Sequence, residues 1–143
     1  MAAADGLGAY MTASLAGLFD FIVYFVIALI LVGLYLSLYT LATMHNEFAL
    51  IRRNSVSAAT ALGFSLVGFA LPLSSAIVHA EAIVDLLVWG FVALAVQILV
   101  YWLVRLVMPD LSTRIAAGEM AAALFLGAAS LAAGMIDAAA MTF

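Results

Sequence analysis

Two short motifs bring a histidine within two residues of a carboxylate, His45-Asn46-Glu47 and His79-Ala80-Glu81, and no other stretch comes nearer to catalytic or metal-binding chemistry. A zinc or acid–base site needs more than this. It needs a third ligand at a helical or loop spacing, a nucleophile beside its base, or a glycine-rich loop that cradles phosphate. None stands in the sequence, and the absence of cysteine removes thiolate ligands, thiol nucleophiles and disulfides together. The residues therefore predict a protein without enzymatic activity, cofactor or metal. Nucleic acid is not an expected partner, because the net charge is −4 and a phosphate backbone selects basic surfaces.

The elements that carry these residues are set by lipid. The chain is 69% hydrophobic and 8% charged, with no lysine, whereas a soluble domain of this size needs a charged skin. A hydrocarbon core of about 30 Å takes about 20 apolar residues per crossing. The runs 21–42, 56–78, 86–107 and 116–141 all meet that requirement. The expected fold is an all-α membrane protein of four transmembrane helices, with the lipid bilayer as its main partner. Residues 1–18 precede the first run without a basic residue, so they do not resemble a cleaved leader. They read as a short interfacial helix or a frayed tail.

Orientation follows from the four arginines. Arg52 and Arg53 lie in the gap after the first run, and Arg105 and Arg114 flank the gap after the third. The positive-inside rule predicts that both gaps face the cytoplasm and both termini the outer side. Trp102 and Trp89, near opposite ends of the third run, fit two interfacial belts.

An internal repeat divides the chain into two hairpins, 19–80 and 81–143. Residues 54–63 set over 118–127 match a polar helix start, a small-residue turn and a glycine, Gly63 over Gly127. Two crossings per unit make the halves parallel, related by an axis along the membrane normal.

These residues also carry a likeness. The run from Thr43 through His45, Asn46 and Glu47 to Arg52, then Ser57-Ala58-Ala59, Gly63 and 68–73, resembles the first half of the YjfL-like family of small bacterial inner-membrane proteins. Pro109-Asp110, Gly134 and 138–142 resemble its second half. The resemblance implies four helices in two repeats and a place in the inner membrane, and it implies no mechanism. The chain departs from the family pattern in having Asn54-Ser55 where a Gly-Asn turn is expected, and Asp137 where a neutral polar residue is expected.

Small residues form two seams. Ala61, Ser65, Gly68, Pro72 and Ser75 recur at alternating four- and three-residue steps, as do Ala123, Gly127, Ser130, Gly134 and Asp137. In lipid, close backbone approach is what draws helices together. The seams are expected to pack the bundle internally, or to join copies into a homo-oligomer or a larger membrane complex. Pro72 removes one backbone donor and frees the carbonyl of Gly68, which predicts a kink.

Few polar groups remain. Gln97 is the one strongly polar side chain near the middle of a helix, and it should bond to Ser65, Thr60 or a backbone carbonyl. Asp5, Asp20, Glu81, Asp85 and Asp137 gather on the side away from the arginines. Asp85, Gln97 and Asp137 are thus candidate members of an ion pathway. Arg52 and Arg53 are candidates for holding an anionic lipid head group. Asp110 precedes Arg114 by four residues, the spacing of a helical ion pair. The function expected is that of an oligomeric or accessory membrane subunit working through small-residue helix packing. The rival is a cation or small-solute transporter using the outward acids and the kinked second helix.

Overall fold

In the computed structural model, residues 2–142 are described, with side chains from Gly6 onward, so the side chain of Asp5 lies outside the described residues. Among the described residues six helices follow one another: α1 (Ala2–Thr43), α2 (Glu47–Arg52), α3 (Val56–His79), α4 (Ile83–Val107), α5 (Leu111–Ala116) and α6 (Met120–Ala140). Among the described residues α1, α3, α4 and α6 are long and apolar enough to cross a membrane. The arginine-bearing links are more than loops, since each contains a helix of six residues.

Local chemistry sets these boundaries. The Asn46 side chain accepts from the Ala49 amide at 3.0 Å and opens α2. Ser55 Oγ accepts from the Ala58 amide at 3.4 Å and opens α3. Left-handed backbone at Met44 and Asn54 turns the first link, and at Asp110 and Gly118 the second. Asparagine tolerates that conformation better than most residues and glycine does so freely. Asn54 can therefore make the turn for which a glycine was expected.

The segment 1–18, expected to lie at the interface or to fray, is from Ala2 onward the first part of α1. The helix has 42 residues, which at about 1.5 Å per residue is roughly twice what a bilayer core requires. Gly17, Asp20, Phe21 and Tyr24 line a recess with Ile77 and Ala80 of α3, so the end of α3 stands level with that stretch of α1. The residues before Gly17 project past the bundle.

Packing centres on α3 and α6, which share by far the largest interface. Their contacts advance in step: Phe64 meets Gly127, Ser65 meets Ser130, Gly68 meets Gly134, and Ser75 meets Ala138, so the two helices run parallel. Helix α4 packs on both, with Gly90 beside Leu73 of α3 and Gln97 bonded to Ser130 of α6. Helix α1 leans on α3 and α4 through Ala28, Leu31, Tyr35 and Tyr39 and is otherwise open.

Candidate functional site

Eight of the ten residues of the two seams, Ala61, Ser65, Gly68, Pro72, Ala123, Gly127, Ser130 and Gly134, are buried between α3 and the helices packed on it, and the outermost two, Ser75 and Asp137, are half-buried. A Cβ at Gly68 would run into the carbonyl of Ser130, and one at Gly134 into the carbonyl of Gly68. The Gly68 carbonyl is the one whose helical donor Pro72 removes. Gly134 thus lets the α6 backbone close over an oxygen that α3 leaves unbonded, a setting for weak Cα–H···O contacts. These residues serve contacts within the chain.

Around this crossing lies a polar core. Ser65 and Ser130 hydroxyls meet at 3.3 Å, and Gln97 Nε2 donates to the Ser130 carbonyl at 3.0 Å. Of the partners expected for Gln97, the structure selects a backbone carbonyl. Tyr35 donates its hydroxyl to the Ser65 carbonyl at 3.3 Å and stacks on Phe69 with ring centres 4.6 Å apart. Tyr39 lies beside it, edge-on to Tyr101 at 5.9 Å. Tyr101 in turn shares a 2.7 Å hydrogen bond with Ser112 and donates to the Ala42 carbonyl, tying α4 to α5 and α1.

Among the described residues three buried oxygens have no hydrogen-bond partner: Tyr39 Oη, Gln97 Oε1 and Asp137 Oδ2. They occupy three levels, with Tyr39 one turn from the arginine end of α1, Gln97 near the middle of α4, and Asp137 near the far end of α6. Between the levels of Gln97 and Asp137 the buried side chains are apolar, among them Phe69, Leu73, Leu86 and Ala93. Asp85, the third pathway candidate, is not in this core. Its Oδ2 accepts from the amides of Glu81 and Ala82 at 3.1 and 3.0 Å, which fixes the start of α4.

The two histidine motifs stand apart, His45 in the link after α1 and His79 at the last residue of α3. His79 Nδ1 donates to the Ser75 carbonyl at 2.8 Å in an exposed turn. Glu47 is buried at 3% exposure, and burial pushes its carboxyl above the ordinary range, while Thr43 and His45 pull it back. Among the described residues no group of three His, Cys, Asp or Glu could hold a metal ion. Arg52 and Arg53 are exposed at the end of α2. The Asp110–Arg114 ion pair expected from spacing is replaced by Arg114–Glu119, with Nε to Oε2 at 2.6 Å. Asp110 caps α5, its carbonyl accepting from the Arg114 amide at 2.9 Å, but its left-handed backbone departs from the helical geometry that the spacing assumes.

Four apolar helices, a hydrogen-bonded core of uncharged side chains and arginines gathered in two links and the adjoining last turn of α4 define a multi-pass α-helical membrane protein. Residues 12–141 match the family described as Domain of Unknown Function DUF350, and the chain belongs to that family. It is 43% identical over 129 residues to the UPF0719 inner membrane protein YjfL of Escherichia coli strain K12, an alignment that spans 90% of this chain and 98% of that protein. The protein of the same name from Escherichia coli O157:H7 is similar to the same degree. No solved structure matches the chain at a significant level.

Proposed function

We propose that the protein is a non-enzymatic subunit of the inner membrane that works through helix contacts, with a second copy of itself or with a larger membrane complex. The observation that carries this is α1. Past the bundle it shows Leu7, Tyr10, Met11 and Leu15 with more than half of each side chain exposed. A projecting apolar surface of that kind is a place for another chain. The small-residue seams are occupied within the chain, so α1 supplies the contact in their stead. Both termini face the outer side in this reading, because arginines resist translocation. Native mass measurement in mild detergent tests it: the full chain assembles, and a chain lacking residues 2–16 runs as a folded monomer.

A second reading, a cation path, is favoured by one observation, the partnerless oxygens of Tyr39, Gln97 and Asp137 at successive levels of the bundle. Bound water satisfies such groups, and a file of waters carries protons or cations. Proteoliposome flux lost in Gln97→Leu and Asp137→Asn supports this path, and flux absent from the unaltered protein removes it.

A further inference from the structure

At the arginine end two concavities meet. One is a polar recess of about 250 Å³ between the end of α1 and the start of α5, lined by Thr43, His45, Arg105, Asp110, Ser112 and Thr113. The other is an apolar groove of about 650 Å³ between α1 and α4, lined by Leu38, Leu41, Ala42, Leu94, Ile98 and Trp102 among others. They share a wall. Ala42 of the groove precedes Thr43 of the recess on α1, and Trp102 of the groove lies one turn from Arg105 of the recess on α4. The Arg105 guanidinium sits 5.0 Å above the Trp102 ring. That contact holds the charge at the mouth of the groove, its stem along apolar surface and its head at the polar boundary.

We propose that this paired site binds one phospholipid with an ethanolamine head group, its phosphate on Arg105 and one acyl chain in the groove. Arg105 makes no ion pair among the described residues, whose one salt bridge joins Arg114 to Glu119. Its guanidinium is free for the bidentate hydrogen bonds that phosphate accepts. The hydroxyls of Thr43, Ser112 and Thr113 line the same recess. Asp110 places a carboxylate there too, and it is likewise outside any ion pair. A recess with one cation and one anion suits a head group that carries both phosphate and a primary ammonium. The hydrogen bond between Ser112 and Tyr101 and the full burial of Leu111 fix α5, so the recess exists before the lipid arrives. The groove opens outward, with Leu41 75% and Leu99 57% exposed, as an acyl chain entering from the bilayer requires.

Native mass spectrometry of the full chain titrated with defined lipids tests the proposal. Phosphatidylethanolamine should be retained in a one-to-one complex, about tenfold more tightly than phosphatidylcholine, whose methylated ammonium has no hydrogen to donate to Asp110. Arg105→Gln should lose that complex, and Asp110→Asn should erase the preference between the two lipids. Ala95→Trp, which fills the lipid-facing groove without touching the recess, should lose it as well. Undiminished retention in Arg105→Gln or in Ala95→Trp overturns the proposal, as does displacement of the lipid by inorganic phosphate alone.

Discussion

The carbonyl oxygen of Gly68 in α3 packs directly on Gly134 in α6, at a separation no side chain could share. Pro72 has left that oxygen without its helical donor, so the residue that breaks one hydrogen bond and the residue that permits the close approach belong to a single contact. The contact makes α3 and α6 the fixed centre of the bundle, with α4 added and α1 only leaning.

Gly134→Ala and Gly68→Ala are therefore expected to destabilise the protein by about 1–3 kcal/mol, the usual range for forcing atoms into a packed interior. Gly63→Ala and Gly33→Ala, where an added Cβ meets nothing within 4 Å, should be neutral or stabilising by up to about 1 kcal/mol through helix propensity. Unfolding titrations in mixed micelles read both classes. Equal effects at all four positions contradict the assignment of the crossing.

Glu47 predicts a pH dependence. Burial raises its carboxyl in the folded protein, so the folded state binds the proton more tightly than the unfolded one does. The stability it contributes is complete below the unfolded carboxylate value and is lost as pH rises through the folded one. Glu47→Gln should be more stable than the parent at neutral pH and should lose that part of the pH slope. A parent stability that rises with pH across this window, with the slope removed by Glu47→Gln, reverses the sign and refutes the account.

Tyr39 and Gln97 separate a dry core from a wet one. Tyr39→Phe removes a buried hydroxyl that has no well-formed hydrogen bond within the described chain, so in a dry core it should be neutral or stabilising. Gln97→Leu also removes the bond to the Ser130 carbonyl, and the loss should stay near 1 kcal/mol. A Tyr39→Phe loss well above that would mean the hydroxyl holds water, which favours the cation path.

The four crossings were legible in the sequence because apolar runs of membrane length admit little else. The small-residue seams were legible because three- and four-residue steps keep them on one face, and Gln97 because an amide in lipid must find a partner. Tyr35, Tyr39 and Tyr101 were missed. In a helix that is apolar all round, hydropathy does not separate a core tyrosine from a lipid-facing one. Arg105 was missed for a related reason, since its recess exists only once α5 is folded back against the end of α1. Asp110–Arg114 misled because the spacing rule assumes helical backbone at both residues, and Asp110, the cap of α5, is left-handed. The reach of α1 was hidden by the alanine and glycine of its first residues, which leave helix, tail and interfacial segment alike in composition.

The central claim, that projecting α1 meets another chain, is tested most directly by Leu15→Cys in this cysteine-free protein, oxidised in native membranes. A covalent dimer, or an adduct with a second membrane protein, is the predicted result. A chain that stays monomeric and unlinked there and at Met11→Cys, while proteoliposomes show cation flux abolished by Gln97→Leu, would contradict it.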